Sequence, residues 1–354
     1  MMSHQARRYA PPCPGLPAAL EEFIAPALAD CPHEQVAAVD ARLLRQLVLG
    51  ALDQLPLPGQ GQTLARWQAL AAVAAQDLSL AKLYEAHTDA LAILAEAGAH
   101  APPHSIWGVW CAQGRPGSLH MRTDAGTDQL ILDGEKNWCS GAAAVTHALL
   151  GERDDRGRYW LLALDLGQAG VDVIEDDWAA IGMAATRTAR LQLRSASARV
   201  IGAPGFYLER PGFWHGGMGI AACWYGAAAA LVELMRKRLV QRADSHALAR
   251  LGSAQCALYG AAAALRESAA GIDASPAANA MQQALRTRLI VERACLQIID
   301  DLGCALGPHP YCNHRRSARL LADLPVWLRQ SHAERDLAAL ARTSLEEETA
   351  PCLL

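Results

Sequence analysis

The chain has 354 residues, enough for one large domain or two to three small ones. It is 52% apolar but only 5% aromatic, so its core has to come mostly from Ala, Leu and Val, a composition suited to closely packed helices. Its formal net charge is −4, from 32 Lys and Arg against 36 Asp and Glu, and no basic block exceeds a few residues, so nucleic acid is not an expected partner. The 10 cysteines occur singly, without C-x-x-C or zinc-finger spacing, and read as reduced thiols used as small core residues. The segment 1–15 has no apolar signal-peptide core, and no uninterrupted apolar run reaches about 18 residues; the expectation is a cytoplasmic chain without a membrane span.

Residues 1–16 are polar and proline-rich and read as an irregular arm. From Leu16 to Gly98 apolar residues recur at helical spacing: Leu20, Phe23, Ile24 and Leu28, then Val39, Leu43, Leu44, Leu47 and Val48, then a run from Leu70 to Leu94. The segment 56–61 is a turn between helices, and Ala101-Pro102-Pro103 closes this part. The period then changes to short runs at 107–112, 129–132, 148–150, 159–164, 171–174 and 189–193, separated by turns such as 153–157. They predict an antiparallel β domain with tight hairpins, and Asp133-Gly134 reads as a hairpin turn. Past Gly202–Gly205, helices are expected over about 220–243 and 253–271. A third has Ser275 as N-cap and Pro276 as first residue, and a last covers about 325–343. His309, Cys312 and His314 match no standard metal spacing and read as a loop. The division is 1–103 helical, 104–205 β and 206–354 helical, an α+β chain.

The segment Asp133-Gly134-Glu135-Lys136-Asn137-Trp138-Cys139-Ser140-Gly141 carries the functional signal, and Ile181–Thr188 follows it about forty residues later. On a strand, Trp138 and Ser140 share one face and supply an apolar wall and a hydroxyl together. This motif, set in a helix–β–helix chain, resembles the acyl-CoA dehydrogenase flavoproteins, in which G-x-K-x-W-I-[ST]-N-G lays a tryptophan and a hydroxyl against the flavin ring. The chain keeps Gly134, Lys136, Trp138, Ser140 and Gly141. The resemblance runs over nearly the whole sequence. Ala112–Leu119 stands where the family has T-E-P-x-A-G-S-D, keeping Gly117 and Ser118, with Ala112 in place of the flavin-bonding threonine and its backbone N–H as donor. Ile220–Ala227 is similar to the family's V-A-A-x-x-x-G-x-A helix. Its overlap with a G-x-G-x-x-A pattern at Gly217–Ala222 is discounted, because no β-branched strand precedes it. Leu302-Gly303 and Arg319–Asp323 resemble the family's G-G and E-R-L-x-R-D signals, with Ala322 for the second arginine. The R-x-x-F-G segment is replaced by Asp244–Gly252.

The resemblance implies bound FAD, with Ala112, Gly117, Ser118, Trp138, Cys139, Ser140 and Gly303 as cofactor contacts. It also implies a homodimer or homotetramer in which a neighbouring subunit meets the flavin pyrophosphate. Acyl-CoA dehydrogenases take the α proton with a glutamate in an E-G-T segment, a task for a carboxylate whose pKa burial has raised. Counting from Asp323 places that segment on Gln330-Ser331-His332, so the base passes to His332, Glu334, His215 or Glu85. Read without the family, Glu85-Ala86-His87, with Asp77 before it, is the polar face of a bundle helix. The main expectation is an FAD-dependent oxidoreductase acting on an acyl thioester, of CoA or an acyl carrier protein, with an electron-transfer partner. The runner-up is a flavin monooxygenase of the same fold, fed reduced flavin by a partner reductase. It needs no α-proton base, and a histidine lies near the place of His332 in that branch. A third reading is a non-catalytic subunit that binds flavin or acyl groups.

Overall fold

The apolar stripes fold as their spacing dictates. In the computed structural model, which describes residues 15–112, 118–123, 129–175, 178–240 and 244–346, α1 (Leu16–Leu28) buries Leu20, Ile24 and Leu28. In α2 (Val36–Leu49), Val39, Leu43, Leu44 and Leu47 are buried. The run from Leu70 to Leu94 is two helices, α3 (Thr63–Gln76) and α4 (Leu78–Glu96). Asp77 separates them: its backbone is extended, and its Oδ1 accepts from the N–H groups of Ser79 and Leu80. That is an N-cap, hidden in the sequence because the apolar period continues across it.

Among the described residues seven strands follow: β1 (Trp107–Trp110), β2 (Leu119–Thr123), β3 (Gln129–Cys139), β4 (His147–Arg153), β5 (Tyr159–Asp165), β6 (Val171–Ile174) and β7 (Ala189–Val200). The sheet order is β1-β4-β5-β7-β3-β2, with β6 also on β7. All pairs are antiparallel except β1 with β4, which is parallel, a departure from the expected antiparallel domain. Asp133-Gly134 is no hairpin. It lies inside β3, where the register against β7 shifts between Leu132 and Gly134. Gly134 has φ +123 and a Cβ there would collide with Ser118 O, so the dipeptide marks a bulge at which β2 crosses closely.

The C-terminal part comprises α5 (Phe206–Glu209), α6 (Gly212–Leu239), α7 (Ser245–Ala274), α8 (Met281–Leu306), α9 (His309–Cys312), α10 (Arg315–Trp327) and α11 (Glu334–Glu346). Ser275 and Pro276 follow α7 instead of starting the next helix; α8 begins at Met281, whose N–H is taken by Asn279 Oδ1. Pro325 lies inside the last turns of α10, so the expected helix 325–343 is split by a break at 328–333, where Ala333 has φ +43. Among the described residues α6 is the one helix long and apolar enough to cross a membrane. It is 67% buried inside the protein, as a core helix packed on α3, α7 and α8.

Candidate functional site

β3 pairs regularly with β7 through Lys136, then slips before pairing resumes between Cys139 and Ala189. The slip leaves Trp138 in the left-handed region, φ +64, rare for a bulky residue and strained. Its indole is held outward, 61% exposed, with its ring edge-on to Trp178 at 6.1 Å and 89°. Trp178 is anchored by its Nε1–H to Gly182 O, and Ile181 beside that glycine is 87% exposed. Three large apolar side chains thus form an open wall. Ser140 does not share a strand face with Trp138, because β3 ends at Cys139 and Ser140 starts a turn.

A chain of hydroxyls backs this wall. Ser140 Oγ lies 3.0 Å from Thr188 Oγ1, which lies 2.9 Å from Thr186 Oγ1, which donates to Met183 O at 2.7 Å. Its polarity is fixed from the inner end. A carbonyl only accepts, so the Thr186 proton is committed to Met183 O; Thr188 then donates to Thr186, and Ser140 donates to Thr188. Ser140 Oγ is left able only to accept from a ligand.

Gly141, φ +73, seats the end of the motif directly on Leu83 of α4. Next to Leu83, the Lys82 ammonium stands 5.8 Å over the Trp327 ring and 3.4 Å from Glu85 Oε2. Trp327 donates to Gln330 Oε1 at 2.8 Å. The Gln330 carbonyl in turn accepts from Arg288 Nη2 at 3.4 Å, and Arg288 Nη1 donates to Gly217 O. Lys82, Glu85 and Arg288 are thus grouped where α4, α6, α8 and the turn after α10 meet. Burial raises the Glu85 carboxyl against the pull of Lys82, and burial lowers the Arg288 guanidinium.

Behind the wall, Asp323 Oδ1 accepts from Met183 N at 2.5 Å, and Asp77 Oδ2 accepts from Arg319 Nε at 3.1 Å. Asp40 is fully buried nearby with neither oxygen hydrogen-bonded. Burial, then Asp77, raises both Asp40 and Asp323, the latter to about 7. The Arg319–Asp323 segment is thus a buried clamp between α10, α4 and the loop of Met183.

The other residues expected at the site are distributed as follows. His332 is exposed; its N–H and Nδ1 both face Asp336, at 3.0 and 3.5 Å. Glu334 is exposed in the first turn of α11. His215 is buried, its Nε2 has no partner, burial lowers its pKa, and the charges bearing on it are Glu96, Arg210 and Asp273. The Cys139 side chain faces the core, and burial pushes its thiol up to about 12, so only its backbone is available to a ligand. Lys136 is buried as a strap, donating to Gly151 O at 2.6 Å and pairing with Glu152 at 3.2 Å. Ala112 is exposed after β1, Ser118 gives its carbonyl to Glu135 N, and Gly303 packs on Tyr311 OH; Gly117 lies outside the described residues. His87 is structural: Nδ1 accepts from Trp107 N and Nε2 faces Asp53 at 3.0 Å.

Sequence reasoning missed Lys82, Arg288, Glu292 and Trp327. A signal was present. The buried stripe of α8, Ala284, Val291, Cys295 and Ile298, has two charged residues four apart set into it, Arg288 and Glu292. Two cavities, of about 340 and 150 Å³, lie further along α6 and meet at Leu234, away from these residues.

Helices, a central sheet and a helical bundle in this order define the acyl-CoA dehydrogenase fold, as the resemblance implied. No family model matches the sequence, and no curated protein matches it. Solved structures do. KijD3, in complex with FMN and dTDP-3-amino-2,3,6-trideoxy-4-keto-3-methyl-D-glucose, is similar with a TM-score of 0.77 and 18% identity, covering 96% of each chain. Dibenzothiophene monooxygenase TdsC from Paenibacillus sp. A11-2 gives 0.76 and 16%, covering 95% of this chain and 97% of its own. Methanesulfinate monooxygenase MsuC from Pseudomonas fluorescens gives 0.76 and 17%, covering 95% and 98%.

Proposed function

We propose that the chain is a flavin-dependent monooxygenase using reduced FMN delivered by a partner reductase, the runner-up of the sequence reading and not its acyl thioester oxidoreductase. The observation that carries this is the group of charged side chains where α4 and α8 meet the turn after α10. Where an acyl chain would need an apolar slot, Lys82, Glu85 and Arg288 stand, and the turn Gln330-Ser331-His332 offers no carboxylate. The structural neighbours include two proteins named as monooxygenases and one, KijD3, in complex with FMN, which favours FMN over the FAD first expected.

The residues present fit a flavin. Trp138, Trp178 and Ile181 offer an exposed apolar wall for a flat ring, and Ser140 offers an acceptor beside it. Reduced flavin, when bound, supplies two electrons to dioxygen for insertion of one oxygen atom into the substrate. This chain's contribution is selection and placement. Ser140, its own proton spent inward on Thr188, accepts from a ring N–H and so discriminates in favour of the reduced form, which has one more N–H than the oxidised form. Lys82 and Arg288 hold the substrate, with the buried Trp327 ring beneath Lys82. His332, braced by Asp336, stands at the rim as the group for proton exchange with solvent. Exposed Tyr259 on α7 and Ile290 and Leu296 on α8 suit burial against a second copy, in keeping with a homodimer or homotetramer.

The test is direct. Purified protein is titrated anaerobically with oxidised and reduced FMN and FAD, then offered acyl-CoAs. Reduced FMN should bind best, and no acyl-CoA should bleach bound oxidised flavin. Bleaching by any acyl-CoA, or no flavin binding at all, overturns the proposal.

A further inference from the structure

Arg288 carries a positive charge on α8 with no carboxylate in ion-pair contact among the described residues. Its guanidinium stacks 4.8 Å over the Trp224 ring, and its two fixed hydrogen bonds go to carbonyls, those of Gly217 and Gln330. Among the described residues it forms no ion pair. The three carboxylates whose charge bears on it are engaged elsewhere: Glu292 by Arg329 at 3.1 Å, Glu85 by Lys82 at 3.4 Å and Asp336 by His332 N at 3.0 Å. A guanidinium has five N–H groups, and two are used. Among the described residues Nε has no hydrogen-bond partner, and each Nη keeps one N–H to spare.

A largely desolvated guanidinium with no carboxylate in direct contact keeps donors free for a ligand, and a fork of donors stacked on an indole is the geometry that recognises an oxyanion in two-point fashion. The surroundings agree. Arg66 and Lys82 add positive charge near Glu85, and the Arg66 guanidinium donates to a carbonyl, Pro56 O, at 3.2 Å. Burial lowers the Arg288 guanidinium in this setting, so a ligand's negative charge restores what burial takes away.

We propose that Arg288 is the docking point for an anionic group of the substrate, a carboxylate or a sulfur oxyacid borne on a small apolar body, so that this site takes organic acids in preference to alcohols or amines. The assignment names the substrate class for the monooxygenase reading and rests on it for the word substrate. The binding site itself stands on Arg288 alone. Substitution Arg288→Gln keeps two donors and removes the charge and the fork. The loss of a charge-assisted hydrogen-bond pair corresponds to a roughly ten- to hundredfold loss of anion affinity.

The experiment is calorimetric titration of the purified protein, with and without FMN. The ligands are benzoate, benzenesulfinate, benzyl alcohol and benzylamine. One or both anions should saturate a single site, benzylamine should not bind, and Arg288→Gln should weaken the anion by the stated factor while keeping a single cooperative thermal transition. Which anion binds more tightly separates a carboxylate from a sulfur oxyanion as the recognised group. Arg288→Lys guards against a misfolded glutamine variant; it keeps the charge without the fork and should weaken the anion by about threefold or more. Anions that bind no better than benzyl alcohol, or an Arg288→Lys variant with wild-type anion affinity, overturn the proposal. Protein that binds benzoate through Arg288 but takes no flavin removes the monooxygenase reading and leaves the anion site intact.

Discussion

Thr188→Val tests the hydroxyl chain behind the flavin wall. Valine matches threonine in shape, so the wall stays in place while the middle link of Ser140–Thr188–Thr186 is lost. In the wild type the Ser140 proton is committed inward, and an oxidised flavin nitrogen, which only accepts, meets an oxygen that only accepts. In the variant Ser140 is released to donate outward. One net hydrogen bond is worth about 1 kcal/mol, so oxidised FMN should bind about fivefold more tightly to Thr188→Val while reduced FMN is little changed. Ser140→Ala gives the complementary result: reduced FMN weakens by about fivefold and oxidised FMN does not. Both are read by quenching of flavin fluorescence for the oxidised form and of tryptophan fluorescence for the reduced form under anaerobic conditions. Oxidised-FMN affinity in Thr188→Val within twofold of wild type, or equal weakening of both forms by Ser140→Ala, would refute the assigned polarity.

Three further outcomes are expected. Trp138→Ala should lower flavin affinity by about 1–3 kcal/mol, since an aromatic wall is lost, yet leave the melting temperature of the flavin-free protein unchanged or higher, because the ring is exposed and its backbone is strained. Lys136→Met should destabilise by about 3 kcal/mol in urea unfolding, because Gly151 O and Glu152 lose a buried donor. Asp323, held near 7 in the folded protein against an ordinary carboxylate value when unfolded, keeps a proton between about pH 4 and 7 that the unfolded chain has released. Its contribution is therefore full at the acid end of that window and is lost as pH rises through 7. Asp323→Asn should flatten the pH dependence of urea midpoints between pH 5 and 7.5, and an unaltered slope would place the titration elsewhere.

Periodicity in Leu20, Ile24 and Leu28 located α1 because burial there depends on spacing alone. The same logic missed the break at Asp77, where the apolar period runs on through a cap, and it missed β2, a short strand that starts at Leu119, the last residue of the segment resembling the family's signature, and is half exposed beyond it. The motif around Trp138 was legible as a motif, but the outward aim of the indole comes from a backbone slip that strand alternation does not encode. Asp133-Gly134 shows the same ambiguity from the other side, since a dipeptide suited to a turn is equally suited to a bulge. The charged cleft was hardest to read. Arg288 and Lys82 come from helices some two hundred residues apart in the chain, and neither position is unusual until α4, α8 and the turn after α10 are brought together.

The pair Asp77–Arg319 has a consequence for motion. Asp77 caps the first turn of α4 with one carboxylate oxygen and holds Arg319 of α10 with the other, while Asp323 reaches Ser79 of the same turn. Two sides of the cleft are thus riveted at one buried point, and sliding α10 would uncap α4 at the same moment. Any opening that admits a substrate has to be taken up by a part free of this rivet. The break after α10, with Ala333 in a left-handed turn and α11 resting on α8, is the place where the chain can yield without unmaking a helix start. His332 sits on that joint. Entry of the substrate and the position of this imidazole would then be a single movement.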